Sequence, residues 1–564
     1  MQIPDILNLG CTSKFFAAVS SDDTFWQRRL QTDYNFSGAG TARTSGWKLI
    51  YRGIFKPRVY VWGERSNGRL GLSEFPTTSM RAQVPFPVQL RIPGIRIVSL
   101  VAGGMSFHAL DSEGQIYVWG TLDPTMPFLR NSGFAQPGQI AKTPLRLRMP
   151  AVTRSVSCGR LHASTLDSDG QIWTFPSWGR PFRLVSDFFT DPNSKPLQIE
   201  CGWGFSCVLT VSGEVFVWWP FSGETAEYIE ATNTQMNEQG DKEASALTDY
   251  SIPCVTWDLI ENPTRLPSIP LLPELPGGDN EKPVQLIQIA GLDAQIVGLT
   301  NKGQVLKFNS LSSKETSSAG RWEYLQEFSS IENIHAEFSR LGLESPGTLK
   351  ITHISANFMS FIAYSTGSSS VVLIGNTETT PHTPPKIIPE LQHKSIISVV
   401  LGDYHNAALT SSGKVLTWGA YSAGALGLGD PAELPIGAPG GYLRVQDRTW
   451  VRNGGEHDPP AVDVPSEVRF DHNLKSHKDR FCFSIAAAGW HTGALVMDLE
   501  SEEEEEEDEP EPEDRLLCRH MYEQPHTLPG HSPPFSPSTG IRIGFAGRGG
   551  AIGPRWGIGR GRGT

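Results

Sequence analysis

One pattern recurs along the chain and constrains the fold more than any other feature. Apolar residues lead to a small residue or glycine, then two variable residues, a polar position and Ala-Leu or its equivalent. A few residues later comes Gly-x-Val/Ile-aromatic-x-Trp/Phe. Ile97 to Leu110 is followed by Gly114-Gln-Ile-Tyr-Val-Trp119-Gly120, and Val156-Ser-Cys158-Gly159 to Leu166 by Gly170-Gln-Ile-Trp173-Thr-Phe175. Further copies begin at Ile199, Ile289, Ile354 and Val400. A seventh copy is split. Ile485 to Leu495 has no following Gly-x-Val-x-x-Trp, and Val59-Tyr-Val-Trp62-Gly63 has no preceding half. The two halves complete each other, as a ring that pairs its first and last segments requires.

The halves read as strands. Gln115-Ile-Tyr-Val-Trp119 alternates, Gly114 supplies the turn into it, and Ala102-Gly103 permits close backbone approach where repeats crowd an axis. The shortest spacings between equivalent positions, 43 and 45 residues, match a single propeller blade. The reading is an all-β fold: a seven-bladed β-propeller over residues 57–498, with insertions near 219–283 and 430–480. The first insertion is acidic early (Glu224, Glu227, Glu230, Glu238, Asp241, Glu243) and proline-rich later (Pro263 to Pro276). It reads as a long exposed loop, idle or partner-binding.

Cys158-Gly-Arg-Leu-His162, Gly402-Asp-Tyr-His405-Asn-Ala-Ala-Leu409, Trp418-Gly-Ala-Tyr-Ser-Ala-Gly424-Ala-Leu-Gly-Leu-Gly429 and Trp62-Gly-Glu-Arg-Ser-Asn-Gly68-Arg-Leu-Gly71-Leu resemble the regulator-of-chromosome-condensation repeat. Units four and five depart from it, with Ala294 and Ser360 in place of His and Asn357 in place of Gly.

Residues 1–56 form a different segment. Ile6, Leu7, Leu9, Phe15, Phe16, Val19, Phe25, Trp26 and Leu30 predict two short amphipathic helices around Ser20-Ser21-Asp22-Asp23, with Ser21 or Asp22 capping the second. Trp47, Leu49 and Ile50 are expected to pack in the connection to the first strand. The run Ile-Pro-Asp-Ile-Leu-Asn-Leu…Ser13-Lys-Phe-Phe16…Ser-Asp-Asp-Thr-Phe-Trp26 resembles the latter part of an F-box, and the chain starts too late to contain the Leu-Pro helix that opens one. That resemblance implies docking on the Skp adaptor of a cullin scaffold through Ile6, Leu7, Leu9, Phe15, Phe16 and Trp26. A helical collar packed on the propeller is the alternative. Together the two parts resemble fungal SCF-associated factor substrate receptors.

Twelve acidic residues between Glu500 and Asp514, with no basic one, account for the whole formal net charge of −12, so the rest of the chain sums to zero. A neutral body has no global field for nucleic acid or an acidic membrane. Residues 499–564 read as a disordered tail, acidic and then Gly/Arg-rich with five arginines from Arg542 to Arg562. That end resembles RNA-binding tails, and pairing with the acidic run is as good a reading. Seven scattered cysteines with no CxxC pair, no apolar stretch of spanning length and no signal-peptide pattern point to cytoplasm or nucleus.

No catalytic, metal or cofactor site emerges. His162, His405 and His491 occupy one repeat position, but equivalent positions lie around a ring and cannot converge on one ion, so they read as structural. Gly424 to Gly429 precedes Asp430-Pro431, not a helix, and reads as a turn. Cys201 and Cys207 read as buried small hydrophobes. The expectation is a non-catalytic substrate-recognition subunit of a cullin-type (SCF) E3 ubiquitin ligase, whose propeller binds an unknown protein substrate. The alternative is a guanine-nucleotide exchange factor or a chromatin-associated propeller.

Overall fold

Each repeat becomes one antiparallel sheet, because the glycine between its second and third strands reverses the chain in a conformation that a side chain resists: φ is +75° at Gly114, +81° at Gly170, +82° at Gly213, +90° at Gly303 and +82° at Gly413. The computed structural model describes residues 3–79, 82–124, 133–239, 250–275, 282–472 and 479–499. The tail expected to be disordered lies outside the described residues except for Leu499, as do Asp241, Glu243 and Pro276.

Blade one runs outward from the axis as Ile97–Ala102, Ser106–Asp111, Ile116–Gly120 and Ala141–Arg148. Blade two is Thr153–Cys158, Ala163–Asp167, Ile172–Phe175 and Phe182–Val185. Blade three begins Pro196–Cys201, Ser206–Thr210 and Val215–Trp218, and blade four is Leu286–Gly291, Ile296–Thr300, Val305–Phe308 and Trp322–Tyr324. Blade five has three strands, His353–Asn357, Ser360–Tyr364 and Val372–Asn376, with a single bridge from Ile374 to Lys386. Blade six is Ile396–Leu401, His405–Thr410, Val415–Gly419 and Val462–Glu467. The innermost strands touch in a closed cycle through all seven blades. The core lies between neighbouring sheets; between blades three and four, for example, Phe205, Cys207 and Val217 meet Ile296, Phe308 and Trp322.

Blade seven joins the two ends of the ring. Arg480–Ala488 and His491–Asp498 pair with Arg58–Glu64 in a register from Arg58 opposite Val496 to Gly63 opposite His491, and Gln83–Leu90 completes the sheet. Six of the seven first strand pairs carry a register shift at the same place, such as Thr153/Ser155 and Ile396/Ser398. Blade five has none. A bulge tightens the local twist, and its recurrence shows that the repeat extends to backbone irregularities.

The first insertion is corrected by the structure: it is not a long loop. It holds the helix Gly223–Glu238, with Ile229 and Met236 buried, and then a strap of three strands. Ser251–Pro253 pairs in parallel with the outer strand of blade one, Trp257–Ile260 in parallel with that of blade two, and Thr264–Arg265 closes blade three. The second insertion includes the helix Val445–Arg452 and then supplies the outer strand of blade six.

The N-terminal segment contains four helices where two were expected: α1 (Ile3–Gly10), α2 (Lys14–Val19), α3 (Asp23–Tyr34) and α4 (Trp47–Gly53). Asp22 is the cap of α3, its carboxylate accepting from the Phe25 N–H at 2.8 Å. Trp47 and Ile50 are buried as expected, whereas Leu49 faces outward at 41 % exposure. α3 and α4 lie over the ends of blades six, seven, one and two. The Asn35 amide donates to the Thr153 carbonyl at 3.1 Å, the Ala42 N–H to the Ile397 carbonyl, and Arg43 to the Ser411 carbonyl at 3.3 Å. Thr153 begins and Ile397 is second in innermost strands of six residues, so the opposite face of the propeller lies roughly 20 Å away.

Candidate functional site

Two surfaces, one on each face, have the composition of binding sites. The first is α1 with α2. Ser13 caps α2, its hydroxyl accepting from the Phe16 N–H at 3.3 Å, and α1 ends where the Gly10 backbone passes against Ser20. The sequence Lys-Phe-Phe-Ala-Ala-Val then forms a helix in which no residue is buried. Phe15 is 69 % exposed, Val19 52 %, and Leu7 on α1 and Phe16 also face solvent. Phe15 and Phe16 meet edge to face at 5.3 Å. Ile6 and Leu9 are half-buried. Five of the six residues expected to dock are thus on the α1–α2 pair with at least part of their surface free.

Trp26 is the exception and is corrected here. It is 1 % exposed, its indole N–H donates to the Ser20 carbonyl at 2.8 Å, and its ring lies 4.9 Å from that of Tyr51. It belongs to the core that joins α3 and α4 to Met497 and Phe483 of blade seven, with Leu30, Phe36 and Ile54. Burying an indole with its N–H satisfied is a structural use of tryptophan. The N-terminal segment therefore divides into a collar, α3–α4, and an uncovered pair, α1–α2.

The second surface is the mouth of an axial funnel on the opposite face. Its lining comes from the turns that follow the innermost strands, including Arg160, Trp203, Phe358, Asp403 and Gly489. Backbone hydrogen bonds tie these turns across five of the seven blade junctions: Gly104 to Gly159, Arg160 to Trp203, Trp203 to Leu292, Asp293 to Phe358 and Asp403 to Gly489. Trp203 stacks on Phe358 with centroids 4.3 Å apart, and the Arg160 guanidinium lies 4.4 Å from the Trp203 centroid. Desolvation raises the Asp403 and Asp293 carboxyls from their ordinary range, and Arg160 opposes the rise at both.

The repeat histidines tie blades together. His162 meets the Ser206 hydroxyl at 2.9 Å, His405 the Thr492 hydroxyl at 2.8 Å, and His491 the Ser106 carbonyl at 3.2 Å, each in the next blade. Burial lowers His162 and His405 to about 4. Cys201 and Cys207 are buried, and desolvation raises both thiols, so neither is a ready thiolate. Among the described residues no group of three or more His, Cys, Asp or Glu side chains is placed to hold a metal ion, and no helix is long and apolar enough to cross a membrane.

The match to a known family falls within blade six. Residues 396–422 match the regulator of chromosome condensation (RCC1) repeat. The chain is 23 % identical to SCF-associated factor 1 of Saccharomyces cerevisiae over 351 residues, 61 % of this chain and 42 % of that protein. It is 29 % identical to the F-box protein pof9 of Schizosaccharomyces pombe over 153 residues, 26 % of this chain and 28 % of that one. It thus spans less than half the length of either relative. The solved structure of Prp20p from Saccharomyces cerevisiae, a protein described with its binding to Gsp1p and histones, superposes with a TM-score of 0.48 at 14 % identity, over 79 % of this chain and 92 % of that one.

Proposed function

We propose that the chain is a non-catalytic substrate-recognition subunit of a cullin-type (SCF) E3 ubiquitin ligase, working in cytoplasm or nucleus. α1–α2 docks the Skp adaptor, which links the chain to the cullin scaffold, and the propeller holds a protein substrate. The observation that carries this reading is α2, a helix of five apolar residues in six that buries none of them. Phe15, Phe16 and Val19 with Leu7 make a contiguous exposed apolar patch of the kind that marks an interaction surface, and full burial of each phenylalanine against a partner is worth about 1.5–3 kcal/mol. The names of the two fungal relatives, SCF-associated factor 1 and an F-box protein, agree with it. The contribution to ubiquitin transfer is proximity: a rigid ring holds substrate lysines near a charged ubiquitin enzyme.

Capture of the Skp adaptor by purified full chain tests the docking half. Phe15→Ala with Phe16→Ala should weaken capture at least a hundredfold and shift the melting temperature little, since neither ring lies in the core. Undiminished capture, or no capture by the unaltered chain, would overturn the assignment.

A further inference from the structure

The funnel mouth lies on the face opposite the helical collar. In the strand register, the second residue of the four-residue turn joining each repeat's first two strands is Gly104, Arg160, Trp203, Asp293, Phe358, Asp403 and Gly489. A repeat that keeps its frame constant while this position runs from glycine to arginine to tryptophan to aspartate is not using it for packing alone. Phe358 holds a left-handed backbone with φ of +50°, which a bulky residue keeps only when its surroundings impose it. Its carbonyl accepts from the Asp293 N–H at 2.7 Å, and its ring supports Trp203.

Arg160 is the unusual member. Its backbone N–H bonds to the Trp203 carbonyl and its guanidinium rests on the Trp203 ring, making no hydrogen bond or ion pair of its own among the described residues. It is a cation on an aromatic platform whose rim carries two carboxylates: Asp403 lines the funnel with it, and Asp293 is tied to the platform through its N–H on the Phe358 carbonyl. Arg69, the other cation acting on Asp403, is already engaged with Glu64 at 2.7 Å. Next in sequence to Asp403 and Gly489 stand Tyr404, 60 % exposed, and Trp490, 45 % exposed, so the mouth has further aromatic surface beside Asp403.

We propose that the funnel mouth binds one basic side chain, lysine or arginine, from an extended segment of a partner protein, seated between Asp293 and Asp403 against the aromatic surface in the place that Arg160 now holds. Charge and aromatic chemistry both favour this occupant. Any incoming charge meets the carboxylates of Asp293 and Asp403 and the guanidinium of Arg160, with Arg69 already neutralised by Glu64, so the balance attracts a cation and repels a carboxylate. Aromatic faces attract cations. Arg160 is then a built-in competitor, held by stacking alone and free to swing out. The proposal deepens the receptor reading by giving the substrate's chemistry, and its test does not involve the adaptor.

Fluorescence anisotropy of full chain with two labelled peptides, Gly-Ser-Gly-Arg-Gly-Ser-Gly and the same peptide with Glu for Arg, decides the matter. The basic peptide should bind and the acidic one should not. Asp403→Asn should weaken binding roughly tenfold. Asp293→Asn, at an exposed position that cannot unsettle the fold, should weaken it several-fold. Arg160→Ala should tighten it, because the competitor is gone. Weaker binding by Arg160→Ala, preference for the acidic peptide, or no binding of the basic peptide would overturn the proposal. Because adaptor capture is read separately, either assignment can fail while the other stands.

Discussion

In Gly402-Asp-Tyr-His405 the glycine and the histidine are one device. The imidazole of His405 folds back over Gly402 so closely that a Cβ there would sit 2.1 Å from its Cε1 carbon. The same holds at Gly159 and His162, where the distance is 2.5 Å. Only a residue without a side chain lets the ring lie down and reach the next blade. Thr492 gives its hydroxyl proton to the Ala425 carbonyl at 2.9 Å, so it can only accept from His405, which fixes the Nε2–H tautomer. Gly402→Ala should therefore displace the ring, break the tie to Thr492 and cost about 2–4 kcal/mol. Chemical denaturation would show this as a lower midpoint. In the double variant Gly402→Ala/His405→Ala the two losses should fall well short of additive, because each removes the same contact.

At the scale of elements, the N-terminal helices depend on local caps as much as on packing. Asp22 holds the first turn of α3, and α3 carries Trp26 and Leu30 into the core, so Asp22→Ala should cost about 1 kcal/mol. Limited proteolysis near residues 20–24 would report the frayed turn before the ring loses stability. Blades were the most legible elements, because each repeat has its own turn glycine and strand alternation, and the orphan halves at Val59 and Ile485 could be matched by their complementary gaps. The strap was not legible. Ser251–Pro253 and Thr264–Arg265 are too short for an alternating signal, and each forms only because an outer strand is waiting beside it. Trp26 was misplaced for a related reason. Phe15, Phe16 and Trp26 are all apolar residues on short helices, and what separates them is which helix lies against blade seven, a tertiary fact absent from local pattern. The funnel did leave a trace, the variable position inside a constant repeat, but variation alone does not say that Arg160 and Trp203 stack.

The whole ring is held at its junctions by groups that are neutral when folded, and this gives its stability a pH dependence. His162, His405 and His491 each use Nε2 to reach the next blade and leave a buried Nδ1 without a partner. A second proton would have to enter at that buried nitrogen, so burial lowers all three, and His108 falls to about 3 beside Trp178 and Cys158. In the unfolded chain the same imidazoles take up protons from about pH 6.5 downward. The unfolded state therefore binds more protons between 6.5 and the lowered folded values, and stability present above pH 6.5 is lost as pH falls through that window. Each histidine contributes on the order of 1 kcal/mol of loss by pH 5.5. Glu200 works in the opposite sense. Burial raises its carboxyl to about 7, so it favours the folded state at low pH and loses that contribution as pH rises through 7. Asp111, Asp293 and Asp403, raised by desolvation too, act in the sense of Glu200 but start from a lower ordinary value. The four imidazoles therefore set the direction, and denaturation midpoints should fall on going from pH 7 to pH 5.5. Glu200→Gln keeps the hydrogen-bonding shape toward Ser157 and Gln198 but removes the opposing titration, so its midpoint should fall more steeply over the same range. A flat profile in the unaltered chain would show that the junctions are not held by neutral imidazoles, and an unchanged slope in Glu200→Gln would show that Glu200 is not the opposing group.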